Sequence, residues 1–200
     1  MKHIERMTEL TGRYTLDKLV ALLPTYQNAG NATEVIWSDG ERLIIHKKLK
    51  YVLHDFKRKS LYNVDLLMKE QQVCFARKQI LPVPISPRCI LVPIKYRKPI
   101  GENDGAYGYV SVDWIESVEE INSQGLDYSV IILKDNLGEL STITKSRILK
   151  QLIMIVQTVG RQSFSNVHAN EYCSVYGNAY DTVLENKRNY GVQELVISIK

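Results

Sequence analysis

The chain has 200 residues, 44% hydrophobic and 24% charged, with a net charge of +4; this suits one folded domain with an ordinary core and excludes a disordered or low-complexity chain. No apolar run approaches the roughly 18 residues of a membrane span, and Met1-Lys2-His3-Ile4-Glu5-Arg6 lacks the apolar stretch of a signal peptide, so a cytoplasmic protein is expected. Cys74, Cys89 and Cys173 are odd in number and widely spaced, which fits neither a disulfide framework nor a paired-cysteine zinc site and reads as buried free thiols.

Charge is unevenly placed. Between His46 and Lys98 there are 13 Lys/Arg against 3 acidic residues, Asp55, Asp65 and Glu70, a local balance of +10 that leaves −6 for the rest of the chain. The basic residues come in clusters: Lys47-Lys48-Leu49-Lys50, Lys57-Arg58-Lys59, Arg77-Lys78 and Arg97-Lys98. Such polarity defines one surface that attracts phosphates and another that does not.

Taken in chain order, Tyr14 to Leu23 suits either a helical face or a short strand before Pro24. Thr33 to Trp37 and Arg42 to His46 are β-branched runs flanking Ser38-Asp39-Gly40-Glu41, and the Asp-Gly pair predicts a hairpin with a tight turn. Leu61, Val64, Leu67 and Met68 recur at helical spacing, which predicts a helix over Ser60 to Gln72 whose positive N-terminal end would reinforce Lys57-Arg58-Lys59. Four prolines from Pro82 to Pro93 make Ile80 to Ile94 extended and irregular, with Ile90-Leu91-Val92 its one short strand.

The stretch Tyr96 to Ala106, with Gly101-Glu102-Asn103-Asp104-Gly105, reads as an exposed, mobile loop. Tyr107 to Ile115 and Tyr128 to Leu133 read as strands, the second turning through Asp135-Asn136-Leu137-Gly138 into Glu139 to Ile143. Thr144 is placed to cap a helix carrying Ile148, Leu149, Leu152, Ile153, Ile155, Val156 and Val159, stopped by Gly160. Glu194 to Ile199 offers a last strand within a polar tail. The expected fold is α+β, a single domain over residues 1–160 with antiparallel β hairpins and amphipathic helices, plus a C-terminal appendage over 161–200.

Enzymatic chemistry finds no anchor. His3, His46, His54 and His168 are isolated, and no two-His or Cys-x-x-Cys spacing marks a metal site. The Gly101 to Gly105 segment lacks the Gly-Lys-Ser/Thr ending of a phosphate loop and the alternating oxygen ligands of a calcium loop. No enzyme, cofactor or metal is therefore expected. Nucleic-acid binding requires only clustered cations for phosphates and a few side chains that reach bases. No helix-turn-helix, zinc-finger or basic-zipper pattern is present. Proline-stiffened segments carrying Arg77, Arg88, Arg97 and Lys98 suit a narrow minor groove better than a recognition helix does.

The order of these motifs resembles the ComK family of competence transcription factors over roughly Arg13 to Val156. Leu22-Leu23-Pro24, the hairpin Glu34 to Ile45 and Lys47-Lys48-Leu49-Lys50 fall in the family's order. Ser60-Leu61-Tyr62-Asn63-Val64 stands where the family has Ser-Tyr-x-Gly-Arg, without its Gly and Arg. Leu81-Pro82-Val83-Pro84-Ile85 looks like the family's Lys-Pro-Pro-Ile without the lysine, and Leu91-Val92-Pro93 followed by Tyr109-Val110-Ser111 is similar to its Phe-Phe-Pro, loop and Trp-Ile-Ser. The later turn, Lys134 to Leu140, and the helix, Ser146 to Ile153, also correspond. The resemblance implies a transcriptional activator that binds A/T-rich double-stranded DNA through the minor groove as a dimer or tetramer, and that is controlled by a proteolytic adaptor. The expected DNA contacts are Lys47, Lys48, Lys50, Lys57, Arg58, Lys59, Arg77, Lys78, Arg88, Arg97 and Lys98. The alternative is a protein-interaction module of the same fold that has lost DNA binding.

Overall fold

A computed structural model describes residues 15–27, 30–74, 81–123, 126–157 and 164 of the chain. They form an α+β domain built on two antiparallel sheets. Strands β1 (Leu19–Gln27), β2 (Gly30–Trp37), β3 (Arg42–Ile45), β4 (Val83–Ser86), β5 (Cys89–Lys95) and β6 (Tyr107–Ser111) make a six-stranded sheet in the order β3-β2-β1-β6-β5-β4. Strands β7 (Ile115–Ser123), β8 (Leu126–Leu133) and β9 (Glu139–Thr142) make a second sheet as a meander. Helices α1 (Leu49–Lys59) and α2 (Val64–Cys74) lie between β3 and β4 in the chain, and α3 (Ser146–Ile155) follows β9.

The large sheet is buried on both faces. Leu19, Leu22, Val35, Trp37 and Leu91 share one cluster with Val52, Leu53 and Phe56 of α1 and Val64 of α2. Val20, Leu23, Ile36, Val92 and Val110 share the other with Ile131 and Leu140 of the small sheet and Leu149 and Leu152 of α3. A strand covered on both sides reads as an unbroken apolar run, which is why Leu19-Val20-Ala21-Leu22-Leu23 shows no alternation. The register slips between Leu19 and Ala21, so Val20 and Ala21 both face the second cluster. The segment that suited either helix or strand is therefore a strand after a single 3-10 turn, Leu16–Lys18.

The Asp39-Gly40 hairpin forms as expected between β2 and β3, but its turn is longer than a two-residue primed turn. Trp37 N–H donates to Glu41 O at 2.9 Å, and of the pair Asp39 and Gly40 the glycine alone has positive φ, at +83°. The second turn puts Asp135, Asn136 and Gly138 at positive φ.

Four expectations change. The helix expected after Lys57-Arg58-Lys59 forms as α2, starting at Val64, but the cluster is itself helical and makes the last turn of α1, beside its carbonyl end. The chain then bends, with Ser60 Oγ–H donating to Ile85 O at 2.6 Å and Asn63 Oδ1 accepting from Leu66 N–H at 3.1 Å, before α2 begins. The proline-rich stretch is a hairpin, β4 to β5, rather than irregular chain. Pro84 lies on an edge strand, and Pro93 lies beyond Leu91, where the register with β4 ends, both positions at which a missing N–H is tolerated. The stretch Tyr107 to Ile115 is broken by a 3-10 turn, Val112–Trp114, that carries the chain from one sheet to the other. Lys145, not Thr144, takes the N-cap position of α3; Thr144 Oγ1 instead accepts from Lys95 N–H at 2.7 Å, tying the end of β5 to the small sheet. Gly160 and the strand expected over Glu194 to Ile199 lie outside the described residues, as does the 161–200 appendage apart from Phe164.

Among the described residues no helix is long and apolar enough to cross a membrane.

Candidate nucleic-acid interface

Helix α1 is amphipathic. Val52, Leu53 and Phe56 are buried against the sheet, and Lys50, His54, Lys57 and Arg58, at i, i+4, i+7 and i+8, share a different face. That stripe runs along a helix about 16 Å long at ~1.5 Å per residue. Its first three members line a groove of about 520 Å³ whose far wall is the Tyr96 to Tyr107 loop, including Arg97, Asn103, Asp104 and Tyr107. Lys48 Nζ donates to Asn103 O at 3.4 Å, joining the start of α1 to that loop.

The expected contact residues divide into groups. Lys47, Lys48, Lys50, Arg97 and Lys98 gather at one end of the large sheet, where β3 ends and β5 leaves for β6. Arg88 sits in the turn at the opposite end of β5, about 23 Å away at ~3.3 Å per residue. Arg58 and Lys59 lie nearer that second end, because Ser60 is bonded to Ile85 of β4. Arg77 and Lys78 lie outside the described residues.

Within these groups the cations are not equivalent. Lys47 Nζ pairs with Asp55 at 3.4 Å, and Lys57, whose side chain is only 18% exposed, pairs through Nζ with Asp65 at 3.0 Å. Partial burial lowers the Lys59 pKa from its ordinary value, partly offset by Asp55. Lys50 Nζ lies over the Tyr51 ring at 4.9 Å. Arg58, Arg88 and Lys98 are exposed and form no ion pair with a described residue.

Arg97 differs from the rest. Its Cζ stands 3.8 Å from the Tyr26 ring centroid, Nη2–H donates to Asn31 Oδ1 at 2.9 Å, and Nε–H donates to Gly105 O at 3.0 Å. It is half-buried and committed to holding the loop. Asp104 completes the arrangement by accepting from Tyr26 Oη at 2.8 Å, Asn31 Nδ2 at 2.6 Å and Gly101 N–H at 3.1 Å. Those bonds, Tyr26's first, hold its carboxyl below the ordinary value. Ile100 N–H donates to Tyr26 Oη at 3.0 Å. The loop that the sequence marks as mobile is exposed but pinned along its length, at Arg97, Ile100, Gly101, Asn103, Asp104 and Gly105.

Tyr26, Asn31, His54 and Asp104 escape a reading based on charge clusters. Tyr26 and Asn31 are direct partners in the β1–β2 register, so a hairpin assignment over that stretch would have paired them. His54 is recoverable from its spacing to Lys50 and Lys57.

No group of three or more His, Cys, Asp or Glu able to hold a metal ion occurs among the described residues. Cys89 is buried, and desolvation pushes its thiol pKa up, away from the thiolate range. What the geometry defines is an α+β domain presenting a cation-lined groove and a braced loop. No protein-family model, curated protein or solved structure matches the chain.

Proposed function

We propose that the chain is a ComK-like transcriptional regulator, an activator in the resemblance already described, that binds A/T-rich double-stranded DNA as an oligomer. The observation that carries the reading is the basic stripe of α1, whose Lys50, His54 and Lys57 face Arg97 of a braced loop across one groove. Lys48, Lys50 and Arg58 are the phosphate contacts, with Lys47, Lys57 and Lys59 contributing less because acidic neighbours offset them. Lys98 and the loop tip address the minor groove. Arg88, at the far end of β5, touches DNA only if the duplex spans the face of the domain or a second protomer presents it. Arg77 and Lys78 remain assigned to the same surface by sequence alone.

The reading is one of binding and not of catalysis, with no cofactor. A cytoplasmic protein subject to adaptor-directed proteolysis is part of the same proposal.

Titration of an A/T-rich duplex by fluorescence anisotropy over a salt series tests it. Binding should weaken linearly on log-log axes, with a slope set by the phosphates neutralised, and a minor-groove ligand should compete. Absence of binding would favour the protein-interaction module, and indifference to the competitor would remove the groove assignment.

A further inference from the structure

The loop tip carries an apolar side chain that packing does not explain. Ile100 is 83% exposed and follows Lys98 and Pro99. Single exposed apolar residues are common on protein surfaces and by themselves mean little. Ile100 is unusual in its support. Its own N–H is held by Tyr26 Oη, the next residue's N–H by Asp104, and both acceptors belong to the Tyr26–Asn31–Asp104–Arg97 cluster. Pro99 fixes φ on its other side. A bare isoleucine is thus presented on a backbone braced from within, with exposed Lys98 two residues before it and exposed Glu102 two residues after; Lys50 and Lys48 stand on the other wall of the groove, Lys48 bonded to the same loop.

An apolar wedge beside basic residues has a physical use on DNA. Minor-groove proteins insert such side chains between base steps, unstacking them and kinking the duplex, while neighbouring cations hold the phosphates. Flexible pyrimidine–purine steps, TA among them, make the kink cheapest in A/T-rich sequence. Bracing the tip beforehand reduces the ordering cost of insertion.

We infer that Ile100 is the wedge this protein drives into a base step, and that Tyr26, Asn31, Asp104 and Arg97 are positioning residues that aim it. The inference rests on the DNA-binding reading. It assigns Arg97 a different part from groove insertion, since every nitrogen with a partner serves the loop.

The experiment uses the full chain with an A/T-rich duplex labelled at both ends, read by energy transfer for bending and by anisotropy for affinity. Ile100→Ala, at a position too exposed to disturb folding, should bind on the order of tenfold more weakly, lose the bend and keep the wild-type salt slope, because no phosphate contact is removed. Ile100→Leu should retain both bend and affinity. Tyr26→Phe, which removes the hydroxyl that braces Ile100, should reduce the bend with an unchanged salt slope. Wild-type bending by Ile100→Ala overturns the wedge, as does a wild-type protein that binds duplex without bending it; in both cases DNA binding itself stands. A wild-type protein that fails to bind duplex overturns both readings together.

Discussion

Arg97 stands over Tyr26 with its Cζ 3.8 Å from the ring centroid, so one of the residues expected from sequence to enter a groove is spent on architecture. Cation–π stacking of a partly desolvated Arg contributes roughly 0.5–2 kcal/mol, and the Asn31 and Gly105 hydrogen bonds add to it. Arg97→Ala should lower stability by about 1–2 kcal/mol in urea unfolding. Lys98→Ala and Arg88→Ala, both exposed, should change it by less than about 0.5 kcal/mol. Equal stability of all three variants would show that the stacking contributes nothing.

Asp104 makes the same brace pH-sensitive in a defined direction. Its folded pKa lies below the ordinary 3.8, so the folded state favours the carboxylate. The contribution to stability is complete above that ordinary value and is lost as pH falls through the depressed folded value. Asp104→Asn mimics the protonated state. It should be less stable than wild type at neutral pH, and the two unfolding midpoints should converge as pH drops below 3.8. A constant gap at all pH values would mean that the charge of Asp104 is immaterial.

The Asp-Gly pair between two β-branched runs made the first hairpin legible, the turn residues after Leu133 did the same for the β8–β9 hairpin, and α3 was legible because it exposes one side and keeps its period. The hydrophobic pattern left β1 open between helix and strand and showed only Ile90-Leu91-Val92 of β5, because both are buried on both faces and so lack the alternation that marks a half-buried strand. Helix α1 was missed for a different reason. Leu49, Val52, Leu53 and Phe56 carry a full helical period, but the lysines around them read as a charge cluster. The site followed the same division. Its cations are visible in sequence, whereas their offset by Asp55 and Asp65 and the capture of Arg97 by Tyr26 depend on pairs brought together by the fold. Lys57 and Asp65, eight residues apart, meet only because the chain bends at Ser60.

Phe56 is fully buried at the centre of α1's inner face, its ring 6.0 Å from that of Trp37 and tilted by 49°. Phe56→Ala leaves a cavity between α1 and the sheet and should cost about 3–5 kcal/mol. Because α1 bears the basic stripe, duplex affinity should fall with it. Full duplex affinity in a destabilised Phe56→Ala protein would separate the stripe from DNA binding.

Two glycines, one just before the start of β6 and one just inside it, should respond differently to one methyl group. A Cβ on Gly108 would stand 3.1 Å from Leu22 O and 3.1 Å from a Leu23 methyl, and Leu22 belongs to the central β1–β6 pairing. Its carbonyl cannot retreat without opening that ladder, so Gly108→Ala should destabilise by roughly 1–3 kcal/mol. Gly105 has nothing within 4 Å of such an atom, and Gly105→Ala should be nearly neutral in thermal unfolding. Equal effects would refute the crowding argument.

Salt dependence should rank the lysines by their acidic neighbours. A cation that neutralises one phosphate contributes a unit of roughly 0.9 to the slope of log affinity against log salt. Lys50→Ala and Arg58→Ala should each remove about that much. Lys57 already faces Asp65 at 3.0 Å and Lys47 faces Asp55 at 3.4 Å, so Lys57→Ala and Lys47→Ala should each remove distinctly less. The sharper test is the acidic partner. Asp65 is 68% exposed and Lys57 18%, so Asp65→Asn takes the paired carboxylate from a largely covered lysine whose charge then has the duplex as its nearest counter-charge; it should tighten binding and steepen the slope. If Asp65→Asn instead leaves both unchanged, Lys57 points away from the DNA and the groove side of α1 is not the contact surface.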